Sequence, residues 1–403
     1  MKKLVFIAII LGFALLILKA RDFMGYNGTS RIMEDVSPID AQTSPIAVTS
    51  IPTSSQQTSD VPYRIEKVVE NLYVPWSIVW TSPSRMIFTE RNGKIRVFEN
   101  NTLRPQPLIE FSEVSATSEE GLMGMVLDPS FETNKQLYVC LAYPAGGSVL
   151  KDKIVMLRDQ GDRLTVEKVI LDGIPAAQYH AGCRLRFGPD GRLYITTGEA
   201  TDKEIAQDLS SLGGKILRIN SDGSIPQDNP FPNSPIWSYG HRNPQGIDWH
   251  PVSKLLFSSE HGPSGFDGPG GGDEVNIIEK GGNYGWPLVS HEKTRDGTIA
   301  PKIVFTPAVA PASGMFYSGN LFPQFKNNFF FGLLRGEGIM RVVVDDKNSA
   351  RITSFEKLQG IDVGRIRDVA QGPDGAIYFS TSNRDGRGKP TTTDDTIYRI
   401  KAE

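Results

Sequence analysis

The sequence predicts an all-β chain, a six-bladed β-propeller preceded by a leader and a linker. Three observations carry that prediction. Alternating and β-branched runs are broken at short intervals by Pro, Asp, Gly and Asn, and no long segment holds a helical period. Gly (40) and Pro (27) together make about a sixth of the 403 residues, which supplies many turns without a collagen-like repeat. One phrase recurs, a Pro-containing turn followed by a short apolar strand, and repeats at this kind of interval mark propellers or solenoids.

The first 62 residues read as address and tether. Met1-Lys2-Lys3 is a basic start, and Leu4 to Leu18 is an apolar run interrupted only by one Gly. Residues 1–22 therefore form a signal peptide or a signal anchor. The run is short for a bilayer span, which needs about 20 residues, yet no A-x-A cleavage site follows it, which favours an uncleaved membrane tether. Either way the chain is expected to be exported, to the periplasmic or extracellular side. Residues 23–62 are rich in Ser, Thr and Pro and lack an apolar period, so they form a linker that buries too little surface to fold.

Residues 63–403 carry the propeller. The phrase occurs at 81–91, 127–143, 187–199, 249–262, 320–338 and 371–383, spaced roughly 45 to 70 residues apart. Each copy is expected to supply the inner strand of one blade. The terminal strands, Arg64 to Val69 and Thr396 to Lys401, are expected to pair in one blade and close the ring. A β-sandwich with a second domain is the competing architecture, but sandwiches rarely repeat one phrase six times. Residues flanking the phrases should crowd one mouth of the channel, where the chemistry is to be sought.

The polar clusters follow in chain order. Glu119-Glu120 precedes a Gly-rich turn. His180 opens HAGCRLRFGPDG on a loop before a strand, which suits a general base, and Glu199 ends the following strand. Arg242-Asn243 sits in a loop set by Gly and Pro, and an Arg there offers a planar fork to a carboxylate or a developing oxyanion. Gly262-Pro263 and then Asp273, Glu274 and Tyr284 lie in Gly-rich surroundings, where carboxylates beside exposed carbonyls suit calcium. Arg335 ends the fifth phrase. Arg365 and Arg367 share one strand face, and two like charges there need an anion between them. Each cluster alone also reads as a solvated loop or a satisfied structural side chain. Together the four arginines predict a small polyanionic ligand.

The composition excludes other classes. Lys+Arg is 43 against Asp+Glu 46, a net charge of −3, so the basic footprint of a general nucleic-acid binder is missing. Two cysteines, Cys140 and Cys183, exclude a multi-bridge scaffold and a four-cysteine zinc site. Whether they pair depends on a Cα separation that the sequence does not give.

The ordered set Pro75-Trp76, EGLMGMVLDPSF, HAGCRLRFGPDGRLYITTGE, LGGKILRI, YGHRNPQG, DEVNIIEKGGNYGWP and GRIRDVAQGPDG resembles the soluble glucose/sorbosone (aldose sugar) dehydrogenases that use pyrroloquinoline quinone (PQQ). The resemblance covers about residues 64–400. It implies a six-bladed propeller that oxidises the anomeric hydroxyl of an aldose to a lactone by hydride transfer to the quinone. It implies His180 as general base, Arg242 as the cation near the reacting carbonyl, and Asn243 as a hydrogen-bond donor to the quinone. It implies Arg335, Arg365 and Arg367 as partners of the cofactor's carboxylates. The carbonyls of Gly262 and Pro263 would hold a calcium against the quinone, and Glu274 and Tyr284, with Asp273, a second calcium. Three positions depart from the pattern: Glu120 stands for a Gln beside the quinone, Glu199 for an Asp, and Arg335 for a Lys. The electron acceptor is left open, as is the choice between monomer and homodimer. The competing reading is a non-catalytic exported propeller that binds a glycan or a protein partner. A calcium-dependent hydrolase on the same fold fits the arginine cluster less well.

Overall fold

In the computed structural model of the protein, residues 61–403 are described. The expected leader, 1–22, and all but the last two residues of the linker, 23–62, lie outside the described residues.

Six antiparallel sheets follow one another along the chain. The first strand, β1 (Tyr63–Val69), is set aside for the last sheet. Blade 1 is β2 (Pro75–Ser82), β3 (Arg85–Glu90), β4 (Lys94–Glu99) and β5 (Thr102–Leu103), with β6 (Ile109–Glu110) also paired to β4. Blade 2 is β7 (Leu122–Leu127), β8 (Gln136–Pro144), β9 (Leu150–Asp159) and β10 (Leu164–Ala176). Blade 3 is β11 (Leu185–Phe187), β12 (Leu193–Thr197), β13 (Lys215–Ile219) and β14 (Ile236–Tyr239). Blade 4 is β15 (Pro244–Trp249), β16 (Leu256–Glu260), β17 (Asp273–Ile278) and β18 (Ile303–Phe305). Blade 5 is β19 (Pro311–Phe316), β20 (Phe329–Leu333), β21 (Gly338–Val344) and β22 (Ile352–Lys357). Blade 6 is β23 (Ile366–Gln371), β24 (Ile377–Thr381) and β25 (Ile397–Ala402), completed on its outer edge by β1.

The ring closes as the terminal strands predicted. β1 pairs antiparallel with β25 in a register from Tyr63 opposite Ala402 to Val69 opposite Ile397. The first strand of each blade packs against the first strand of the next, and β23 returns to β2. Polar side chains staple these inner strands: Asp248 Oδ2 accepts from Phe316 N at 2.7 Å, and Asp368 Oδ2 accepts from Ile78 N at 2.7 Å. Closure removes the exposed sheet edge that invites association.

The repeated phrase does not supply the inner strands, as the sequence suggested, but the second ones. β3, β8, β12, β16, β20 and β24 are the strands it contains, and the inner strand of each blade lies just before the turn. The reason is mechanical. In three copies the turn aspartate binds its own turn and also the tyrosine of the returning strand. Tyr138, Tyr194 and Tyr378 donate to Asp128, Asp190 and Asp374 at 3.0, 3.1 and 3.1 Å. The conserved-looking unit is thus a hairpin corner. Its strand is apolar because blades pack face to face: β12, β16, β20 and β24 are buried at every position. Phe257, Phe316, Phe329 and Phe331 fill one such interblade layer.

Cys140 on β8 and Cys183, just before β11, form a disulfide with Cα atoms 6.3 Å apart, tying blade 2 to the loop that enters blade 3. It closes a loop of 43 residues. Replacing both cysteines by alanine is expected to lower the unfolding free energy by about 2–4 kcal/mol. Urea denaturation checks this as a lower midpoint, with a slope that rises as the unfolded chain loses its cross-link.

Candidate active site

Each inner strand starts at one face of the ring and each second strand returns to it. The residues just before an inner strand therefore meet those just after a second strand. They enclose a cavity of about 630 Å³ at the channel mouth, in the range of small-ligand pockets. His180, Arg242, Arg335, Arg365 and Arg367 all line it, as do Gly262, Pro263 and Asp273. Glu120, Glu199, Asn243, Glu274 and Tyr284 do not.

His180 is 6 % exposed and holds a left-handed backbone (φ 56°) that non-glycine residues seldom adopt. Three contacts fix it there. Its N–H donates to Glu119 Oε2 at 3.0 Å, and its carbonyl accepts from Ala200 N at 3.1 Å. Gly198 lies so close beneath that a Cβ would stand 1.8 Å from the His180 carbonyl oxygen. The ring is bound at both nitrogens. Nδ1 pairs with the Glu199 carboxylate, and Nε2 lies 2.9 Å from Arg242 Nη2. Guanidinium only donates, so Nε2 is the acceptor and Nδ1 carries the hydrogen towards Glu199. The lone pair therefore faces the cavity. Glu199 sits behind the imidazole, 1 % exposed, and orients it without reaching the cavity itself.

Arg242 is anchored by its own loop. Nε donates to Asp267 Oδ2 at 2.8 Å and Nη2 to Ser264 Oγ at 2.7 Å. Nη2 is also 2.7 Å from Asp267 Oδ2 and carries two hydrogens for three neighbours, so the bond to His180 is the one a ligand can replace. Arg365 is held in place by Asp385, through Nε at 2.9 Å and Nη2 at 2.7 Å. Asp385 is the anion that the paired arginines on one strand face require. Among the described residues no carboxylate is bonded to Arg367. Its Nη1 reaches Gln245 Oε1 at 3.3 Å, and its Nε has no partner at all. Burial pulls its pKa down to about 10, against the attraction of Asp385. Below it the channel is floored by Trp76, with Arg367 and Arg184 on its ring at 5.6 and 4.1 Å. The Arg184–Asp368 bridge at 3.1 Å seals that floor.

Asn243 is fully buried at the start of β15. Its Oδ1 accepts from Gly182 N and Gln245 Nε2, and its Nδ2 is left without an acceptor. A buried amide donor without an acceptor is a feature that a ligand carbonyl would satisfy.

Glu120 is not the carboxylate at the cavity. Its oxygens turn back onto the preceding loop and accept from Ser115 Oγ, Thr117 N, Thr117 Oγ1 and Ser118 N. The neighbour Glu119 lines the cavity instead and pairs with Arg387 at 2.6 Å. Burial works against its charge, but Arg387 and the His180 amide hold it below the usual carboxylate range.

The residues expected to hold calcium fall in two places: Gly262, Pro263 and Asp273 at the cavity wall, and Glu274 and Tyr284 away from it. Asp273 is fully engaged by the backbone: Oδ1 accepts from Gly262 N, and Oδ2 from Val309 N and Ala310 N, at 2.7–2.8 Å. The Tyr284 hydroxyl donates to the Ile277 carbonyl and accepts from Glu279 N, and its ring stacks on His241 at 4.7 Å. Burial, followed by the neighbouring Glu260, pushes the Glu274 carboxyl well up, which favours its neutral form. Among the described residues no group of three His, Cys, Asp or Glu side chains is placed to hold a metal. Gly262 and Pro263 keep their backbone at the cavity wall, but no side-chain carboxylate joins them as a ligand.

Sequence reasoning missed Arg91, Gln245, His261, Asp385 and Arg387, which also line the cavity. Arg91 and His261 were within reach of it. Both directly follow a second strand, the position that singled out Arg335.

The geometry has close counterparts. The aldose sugar dehydrogenase YliI of Escherichia coli is 33% identical over 348 residues, 80% of this chain and 91% of that protein. The structure of the PQQ-bound form of aldose sugar dehydrogenase from Streptomyces coelicolor matches with a TM-score of 0.73 at 31% identity, over 85% of this chain and 99% of that one. The apo-form of the soluble aldose sugar dehydrogenase from Escherichia coli matches with a TM-score of 0.75 at 29% identity, over 85% of this chain and all (100%) of that one. The profile of the glucose/sorbosone dehydrogenase family matches residues 72–397, and the chain belongs to that family.

Proposed function

We propose that the protein oxidises the anomeric hydroxyl of an aldose to the lactone, with PQQ as the cofactor in the channel-mouth cavity. The observation that carries this reading is the His180 imidazole, held between Glu199 and Arg242 with its lone pair towards a cavity lined by arginines. A tricarboxylate suits that lining. Arg365 and Arg242 are positioned by their own aspartates, while Arg367 and Arg335 have no carboxylate of their own among the described residues.

Bound there, the quinone supplies the two-electron acceptor. The protein's own part is proton transfer and charge placement. His180 Nε2 leaves Arg242 and takes the proton of the sugar hydroxyl. Glu199 keeps Nδ1–H and stabilises the imidazolium that forms. Arg242, fixed by Asp267 and Ser264, stands beside the base where negative charge grows, already oriented. Trp76 carries Arg367 and Arg184 over its ring, and Arg184 is bridged to Asp368. Calcium belongs to this reading as a proposal: the Gly262 and Pro263 carbonyls at the cavity wall would hold it, and it is given no step. The acceptor that reoxidises the enzyme, and export to the outer side of a membrane, belong to this reading as proposals.

Reconstitution tests the reading. Apoprotein mixed with PQQ and calcium is expected to reduce an artificial dye in the presence of aldoses, and to do nothing without the quinone. Inertness of the wild-type holoprotein across pentoses, hexoses and disaccharides would sink it in favour of a binding propeller. His180→Ala is expected to lower kcat by roughly 10²–10⁴-fold while leaving quinone binding, followed by absorbance, within a few-fold. Glu199→Gln is expected to lower kcat more than it raises KM, because it acts on the orientation of the base and not on the sugar. Steady-state kinetics on the two variants separates these outcomes.

A further inference from the structure

We propose that Arg91 is a further anion-binding residue of the cavity, and that its guanidinium, beside that of Arg367, receives one carboxylate of the bound quinone. The proposal rests on the function read above and adds a residue to it.

Arg91 directly follows β3, at the cavity end of blade 1. Its backbone is fixed on both sides: its N–H donates to the Val74 carbonyl at 3.2 Å, and its carbonyl accepts from Leu122 N at 2.9 Å. Its stem crosses the space left open at Gly121, where a Cβ would stand 2.3 Å from Arg91 Cγ and 2.4 Å from its carbonyl oxygen. The side chain therefore leaves the backbone in one direction, and that direction is the cavity, which it lines.

What it meets there is unusual. Arg91 is 4 % exposed, its Nε is buried without a partner, and no carboxylate or carbonyl accepts from its guanidinium among the described residues. The other cavity arginines of this kind are balanced: Arg242 by Asp267, Arg365 by Asp385, Arg387 by Glu119. The exceptions are the exposed Arg335 and the buried Arg367, which lines the same cavity as Arg91. Two buried guanidiniums with no carboxylate bonded to them are costly to the empty protein. Arginine brings a planar fork suited to a carboxylate, so the pair forms a site for an anion supplied from outside.

A structural arginine and a ligand-binding one differ in what their loss does. The apoproteins of wild type, Arg91→Gln and Arg91→Lys are titrated with PQQ by absorbance, and melted with and without it. Arg91→Gln is expected to bind the quinone roughly 10- to 100-fold more weakly, and its apoprotein to melt no lower than wild type. Arg91→Lys, which keeps the charge but not the fork, is expected to fall between. Affinity within twofold of wild type in Arg91→Gln overturns the proposal. So does an apoprotein of Arg91→Gln that fails to fold or melts more than about 5 °C lower, since Arg91 then supports the fold. A wild-type protein that takes up no quinone fails the broader reading alone. Benzene-1,3,5-tricarboxylate then tests Arg91 by calorimetry: binding weakened in Arg91→Gln upholds it, while equal binding, or none to wild type, overturns it.

Discussion

Closure of the ring is the constraint on which everything else depends. Blade 6 exists only because β1, from the start of the propeller, pairs with β25 at its end. Asp395 reinforces the seam, since its carboxylate accepts from Val74 N at 3.0 Å, across 321 residues of chain. A long-range contact of this kind is made at the expense of chain entropy. The return is geometric. Once closed, six inner strands must converge on one axis, and their first residues cannot avoid one another. The cavity is a consequence of that convergence more than of any local motif.

Convergence also explains the electrostatic arrangement. Guanidiniums at the mouth would repel one another in a space too narrow for much water. The protein balances most of them with aspartates and glutamates from neighbouring loops: Asp267, Asp385 and Glu119. These carboxylates orient the arginines as well as neutralising them. Arg91, Arg335 and Arg367 are left over. A fold that was selected for stability alone would have paired or removed the two of these that are buried. Their survival is the physical signature of a ligand whose charge completes the site. The same logic places Glu199 behind His180, where it holds a tautomer and adds no negative charge to the cavity wall.

The three departures from the family pattern resolve differently. Glu199 reaches His180 Nδ1, so its extra methylene changes the reach of an orienting carboxylate and not the cofactor contact. Glu120 is irrelevant to the cavity, because four donors hold it against its own loop, and the position beside the base belongs to Glu119. Arg335 lies exposed at the rim, where a lysine and an arginine place the same charge.

From the sequence come the number of blades, the closing strands and four of the six arginines that line the mouth. Those features rest on local chemistry: a Pro-Asp corner, an apolar returning strand, a polar residue before or after it. The period of the phrase counts the blades, whichever strand of the blade it encodes. Other matters were decided only by the tertiary structure. The inner strands could not be told from the second ones, because both are apolar and the corner joins them symmetrically. Glu119 could not be told from Glu120, since neighbouring side chains diverge by an angle that the turn alone sets. The amide partners of Asp273, at Gly262, Val309 and Ala310, come from other parts of the chain, so only packing brings them to it. Cys140 and Cys183 lie in different blades, and only the packing of those blades brings their Cα atoms to 6.3 Å. Which arginine keeps an unanswered charge depends on which carboxylates arrive from other loops, and that is a property of the closed ring.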